Sequence, residues 1–521
     1  MVTLYDTTLR DGTQREGLSL SVEDKIRIAQ RLDALGIDYI EGGFPGSNPK
    51  DIEFFERARD LKLEHAVISA FGSTCRKDTP ADEDAGLAAL LETECQAVCI
   101  FGKAWDVHVT ETLRATLEEN VRMVRDSVAF LKAAGRTVFF DAEHFFDGYK
   151  HNAGYAIEVC KAAAEAGADA IVLCDTNGGT LPQNVLRAVG AVALVVDAPL
   201  GIHAHNDSGC AVANSLLAID AGCTHVQGTI NGYGERAGNA DLISIIPNLV
   251  LKMNDDCVAG DQLKLLTETS HFVAETANLT PYPFEPFVGT SAFAHKGGVH
   301  ASAAARLPEA YEHIDPSAVG NLARVVVSEL AGRASLTMKA QELGFDLTSD
   351  PGTVNAVLDS IKELEHDGYS FEAADASLEV LLKKQLGTYE PLFQLESFRC
   401  IMEKREDGKV MTEATIKIHV GGHRYIATAE GNGPVNALDK ALRIAISSYY
   451  PALAEIELKD FKVRVLDEKK GTAAVTRVLI ESSDGDKGWG TVGVSENIIE
   501  ASWEALVDSV DFGLTHPRQD T

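Results

Sequence analysis

Three short stretches, far apart along the chain, carry side chains that could grip a cation and act on an anionic substrate. The first is TLRDGTQREG, in which Arg10 and Asp11 are adjacent. The second is HAHND, with His203 and His205 two positions apart. Side chains alternate faces along a strand, so these two imidazoles should point the same way. The third is GYGERAGN, which holds Glu235, Arg236 and Asn239. One carboxylate and two imidazoles leave coordination positions open, as a substrate-binding metal requires. Each stretch also has a plainer reading. A His pair at a strand end can be a hydrogen-bonded core pair, an Arg-Asp dipeptide a solvated charge pair, and a glycine-rich loop a tight turn. Convergence of the three in space would decide for the metal.

That convergence depends on the elements that carry them. Up to about residue 255, short apolar β-branched runs alternate with amphipathic helical stretches. Strands are predicted at 2–6, 38–43, 65–71, 97–102, 137–143, 170–176, 199–206 and 225–232. Ser21 reads as a helix N-cap with Glu23 and Asp24 in the first turn, and Gly36 and Gly167 as helix C-caps. Eight strand–helix units in this length match a (β/α)8 TIM barrel, with a doubly wound open sheet as the alternative. In a barrel, catalytic groups sit at the C-terminal ends of the strands, and strands 7, 8 and 1 are neighbours. The three stretches follow those strands. Glu41, Ser69, Lys103, Glu143 and Thr176 mark other strand ends, of which Glu143 and Thr176 are best placed to touch a substrate. The rings of His144, Phe145 and Phe146 follow Glu143 directly and would narrow the pocket beside it.

Residues 1–258 are therefore expected to form a catalytic barrel, 259–388 a mostly helical linker subdomain, and 389–515 an α+β domain. The last region runs strands-then-helix twice, a weak internal repeat. The formal charge of −31 and the lack of a basic stripe argue against nucleic acid or an anionic membrane as partner. An anionic substrate would then need a local cationic centre. Nine cysteines are scattered singly without a C-x-x-C pair, and no secretory signal or long apolar span is seen, so a cytoplasmic location is expected. There is no Walker A motif, no G-x-G-x-x-G that opens a helix and no G-x-S-x-G.

Taken together, LYDTTLRDGTQREG, HAHND and NGYGERAGN resemble the DRE-TIM metallolyases, in the branch of 2-isopropylmalate, homocitrate and citramalate synthases. The resemblance extends to FAHKGGVHASA and to a C-terminal region similar to the regulatory domain of isopropylmalate synthases. EGGFPGSNPKD, GKAWDVHV and DAEHFFDGYK look like the citramalate synthase members. The resemblance implies a divalent metal (Mn, Mg or Zn) held by Asp11, His203 and His205, with Asn239 as a further ligand. It implies Arg10 at the ketone oxygen of a 2-oxo acid, and Gln14, Glu143 and Thr176 lining the acceptor site. His300 would assist proton transfer, helped by Tyr311. The run His300-Ala301-Ser302-Ala303 departs from members with an acidic residue shortly after that histidine. The implied reaction joins acetyl-CoA to pyruvate, in a homodimer inhibited by isoleucine, on a threonine-independent route to that amino acid. A 2-isopropylmalate synthase with a larger acceptor is the nearest rival. A lyase of the HMG-CoA type would carry a cysteine in the glycine-rich loop after strand 8, and GYGERAGN has none. A non-catalytic amino-acid sensor is the reading from another class.

Overall fold

The computed structural model describes residues 1–46, 48–295, 303, 307, 310–325, 327, 332–347, 351–404, 406–466, 474–485 and 487–516. Eight parallel strands form a closed barrel: β1 (Thr3–Asp6), β2 (Tyr39–Gly43), β3 (Val67–Ser73), β4 (Ala97–Lys103), β5 (Thr137–Glu143), β6 (Ala170–Asp175), β7 (Leu200–Ala204) and β8 (His225–Gly228). The open-sheet alternative is excluded because β1 pairs with both β2 and β8. Eight helices follow the strands in turn: α1 (Val22–Leu35), α2 (Pro49–Ala58), α3 (Ala85–Glu92), α4 (Leu117–Ala133), α5 (Phe145–Glu165), α6 (Pro182–Ala193), α7 (Ala211–Asp220) and α8 (Leu242–Lys252).

Period-two alternation divides each strand between two cores. Leu4, Val98, Ile100 and Phe140 face outward into the layer beneath the helices. Tyr5, Ala97, Cys99, Phe139 and Ala170 fill the barrel interior. The interior parity of β5 runs from Phe139 through Asp141 to Glu143, and that of β6 from Ala170 towards Thr176. The mouth is therefore lined by residues whose position is set by the pleat alone. Local signals hold as well. Ser21 caps α1 in a reciprocal capping box whose partner is Asp24, and Gly36 ends that helix at φ 95°. A side chain is strained in that left-handed region, which is why glycine stands there.

The chain divides into two compact units. The first holds the barrel plus α9 (Gly260–Leu263) and α10 (Leu266–Thr276). Among the described residues the second holds a short parallel pair, β9 (Ala294–His295) with β10 (Arg324–Val325), followed by the helices α11 (Arg333–Glu342), α12 (Pro351–His366) and α13 (Asp375–Gln385). It ends in the duplicated motif. β11 (Gln394–Lys404), β12 (Val410–Val420) and β13 (His423–Gly431) make one antiparallel sheet followed by α14 (Pro434–Ile446). β14 (Glu457–Val465), β15 (Thr476–Ser483) and β16 (Gly488–Ser495) make another, followed by α15 (Ile498–Thr515). The two halves share one core, with Ile416, Ile418 and Leu442 from the first and Ile480, Trp503 and Leu506 from the second.

Candidate active site at the barrel mouth

The loop after β1 is stitched to the end of β8 by the residues that precede Arg10 and Asp11. Asp6, fully buried, accepts from the Thr8 backbone at 2.9 Å and from its hydroxyl at 2.7 Å. The Thr8 hydroxyl accepts in turn from the Ile230 amide at 2.8 Å, and the Thr7 hydroxyl donates to Gly228 O at 3.2 Å. The amides of Arg10, Asp11 and Gly12 all close onto Thr7 O. Burial pushes the Asp6 carboxyl up to about 7, against the pull of the Thr8 hydrogen bonds. Asp6, Thr7 and Thr8 thus set where the next two residues point. Sequence reasoning quoted them within the motif without giving them this task.

Asp11 meets the two histidines across the seam. Its Oδ2 lies 3.4 Å from His203 Nε2 and 3.8 Å from His205 Nε2. All three residues are buried, and their ligand atoms lie within 4.8 Å of one another, so the trio could hold a metal ion. His205 lies just past the end of β7, where it bridges to Asn239. Asn239 Nδ2 donates to Tyr233 O at 3.0 Å, while its buried Oδ1 receives no hydrogen bond from any described residue. A buried amide oxygen left unpaired is costly in a site of protein atoms alone, and it fits a further cation ligand.

The electrostatics agree with that donor set. Burial disfavours the Asp11 charge, yet Arg10 and the two imidazoles outweigh it and hold the carboxyl well below the usual range. Burial also opposes charge on His203, but Asp11 raises its basicity. Burial and the neighbouring His203 push His205 down to about 4. Arg10 is fixed from three sides: its Nε donates to Glu41 at 2.5 Å, its Nη1 lies 3.3 Å from Asp11, and its guanidinium sits 3.7 Å over the Phe71 ring. Glu41 also accepts from the Tyr5 hydroxyl at 2.9 Å, which bonds Ser69 at the same distance. Glu41 and Ser69 thus support Arg10 from below.

These groups open onto a cavity of about 470 Å³. Arg10, Asp11, Gln14, Glu143, Thr176, His203 and His205 all line it, as do Asp141, Cys174 and Arg236. Glu143 is ion-paired with Lys103, and the Thr176 hydroxyl accepts from the His144 amide at 2.9 Å. Arg236 forks onto Asp207 at 2.8 and 2.9 Å. The expectation about His144, Phe145 and Phe146 is corrected: Phe145 and Phe146 begin α5 and are buried in the outer core, and His144 packs on His108. The rings lining the cavity are Phe44, Phe71 and Phe101, with Phe71 stacked on Phe101 at 5.5 Å and edge-on to Phe44 at 5.7 Å. The sequence run suggested adjacency to Glu143, but α5 turns those rings away. Tyr311 is 43% exposed and belongs to the second compact unit. His300 lies outside the described residues.

An HMGL-like family pattern matches residues 1–273, more than half the chain. A homocitrate synthase post-HMGL domain-like pattern matches 287–368, and a LeuA allosteric (dimerisation) domain matches 372–514. A curated (R)-citramalate synthase of Geobacter sulfurreducens is 56% identical over 99% of this chain and 98% of its own length. The chain belongs to the citramalate synthase family. A second (R)-citramalate synthase, from Sulfolobus acidocaldarius, is 47% identical over 98% of this chain and 97% of its own. Similarity falls to 33%, over 98% of both chains, for a probable 2-isopropylmalate synthase of Methanopyrus kandleri. Within the citramalate synthase family, the closed barrel and the C-terminal α+β architecture agree with the sequence reading.

Proposed function

We propose that the chain condenses acetyl-CoA with pyruvate and water to give (R)-citramalate and free CoA. One observation carries this reading: Asp11, His203 and His205 converge beside Arg10 in one cavity, in a chain 56% identical along its length to an (R)-citramalate synthase. A divalent ion (Mn, Mg or Zn) held by that trio and Asn239 would supply Lewis-acid polarisation of the acceptor ketone.

The remaining work belongs to the protein's own groups. A base, assigned to His300 with help from Tyr311, takes a proton from the acetyl methyl group. The resulting enolate carbon bonds to the ketone carbon of pyruvate, and the carbonyl electron pair moves onto oxygen. Arg10, held rigid by Glu41 and Phe71, stabilises that alkoxide until it is protonated. Water then adds to the thioester carbonyl and CoA leaves as the thiol, which draws the reaction forward. Gln14, Glu143 and Thr176 orient the acceptor beside the Phe44–Phe71–Phe101 wall. The LeuA domain supports a homodimer and feedback by isoleucine, the end product of a threonine-independent route.

The test is CoA-thiol release with acetyl-CoA and a panel of 2-oxo acids. Pyruvate is expected to exceed 2-oxoisovalerate in kcat/KM by at least about 10-fold, the scale of one or two misfitting methyl groups. Faster turnover of 2-oxoisovalerate would replace this reading with that of a 2-isopropylmalate synthase. Saturating isoleucine should depress the rate, and an unchanged rate would remove the effector assignment.

A further inference from the structure

Behind the cavity, β8 supplies a side chain with no place in the reaction above. Gln227 is fully buried, on the interior face of the strand beside β7. Its Oε1 lies 2.9 Å from His203 Nδ1, and its Nε2 donates to Asp141 Oδ1 at 2.9 Å. The order of these contacts fixes their polarity. The amide presents its NH2 to Asp141 and therefore its oxygen to His203. The oxygen can only accept, so His203 must carry its proton on Nδ1. The lone pair of His203 is then on Nε2, the nitrogen 3.4 Å from Asp11.

We infer that Gln227 is a positioning residue that locks His203 in the tautomer able to bind a cation. Asp141 anchors it from the far side. Resting on the reading of Asp11, His203 and His205 as metal ligands, the inference adds the group that orders one of them. A ligating imidazole whose other nitrogen loses its partner is free to rotate and to change tautomer, which costs about 10–100-fold in metal affinity.

The experiment titrates the metal-free full-length protein with Mn²⁺ and follows free Mn²⁺ by electron paramagnetic resonance. Gln227→Met keeps the volume and removes the acceptor, so its Mn²⁺ affinity should fall by about 10–100-fold, with folding checked by circular dichroism. Gln227→Glu restores an acceptor for His203 Nδ1–H, shares a proton with Asp141, and should bind Mn²⁺ within about 3-fold of the native protein. An affinity for Gln227→Met within twofold of native, or equal large losses in both variants, would overturn the inference. If Gln227→Met does not fold, a loss beyond about 10-fold in Gln227→Glu overturns it alone. Failure of the native protein to bind Mn²⁺, or binding untouched by His205→Ala, would sink the metal reading itself and is read separately from the Gln227 result.

Discussion

At the scale of single residues, the site depends on keeping buried charge rigid at the barrel mouth. Arg10 shows how: its guanidinium sits over the Phe71 ring while its Nε is held by Glu41. A lysine cannot satisfy the ring and the carboxylate together. Arg10→Lys should therefore lower kcat by about 10²–10³-fold, the loss seen when one oxyanion donor is removed, with a smaller change in KM for pyruvate. Initial-rate kinetics by thiol release would show it, and a kcat within a factor of two of native would end the oxyanion role. Phe71 also bears on specificity. Phe71→Leu should enlarge the cavity and raise the kcat/KM ratio of 2-oxobutyrate to pyruvate by about 10-fold, the scale of one methylene. Residue types were well legible here, because Asp11, His203, His205 and Asn239 are chemically distinctive and fall at the end of β7 or in the loops that follow β1 and β8. Gln227 and Asp141 were not, since a glutamine in HVQG reads as an ordinary strand residue until its neighbour across β7 is known.

At the scale of elements, one loop and one helix pair carry consequences. In GYGERAGN, Gly238 has φ +93°, and an added Cβ would lie 2.1 Å from Gly232 O. Gly238→Ala should therefore cost about 1–3 kcal/mol and displace Asn239, visible as a lowered Tm and weaker Mn²⁺ binding. In the C-terminal region, α13 and α15 meet over a buried carboxyl. Asp508 accepts from the Ser377 hydroxyl at 2.7 Å, and burial pushes it up to about 7, with Lys384 opposing. Its folded pKa lies above the unfolded value, so the folded state binds the extra proton. The associated stability is complete below about pH 4 and is lost as pH rises through about 7. Asp508→Asn should raise Tm at pH 8, by on the order of 2 kcal/mol of stability, and leave it nearly unchanged at pH 4 in calorimetry. Equal shifts at both values would show that the carboxyl does not titrate as described. Strands and helices were readable because the barrel imposes clean periods of two and about 3.6. The fate of Phe145 and Phe146 was not, because a left-handed His144 (φ 56°) starts α5 and redirects the chain just after Glu143.

At the scale of the whole molecule, the cavity and the LeuA domain fall in different compact units, and Tyr311, to which the proposed mechanism gives a part in proton transfer, belongs to the second. The first carries the cavity, and the second ends in the LeuA domain. If that domain pairs two chains and senses isoleucine, removal of residues 372–521 should abolish isoleucine inhibition and shift the protein to the mass of a monomer in light scattering. An inhibited, dimeric truncation would contradict both assignments. The duplicated strands-then-helix order was visible in sequence as a repeat, and the shared core of Ile416, Ile480 and Trp503 shows why neither half is expected to stand alone. One consequence of barrel closure concerns synthesis. The carboxylate at 11 and the imidazoles at 203 and 205 become neighbours only when β1 finds β8. If that trio holds the cation as proposed, a nascent chain still missing its last barrel strand has no place to keep it, and a protease cut that opens the β1–β8 seam would release it. Ion retention is then a readout of whether the ring is shut, usable on ribosome-bound or nicked chains without any substrate.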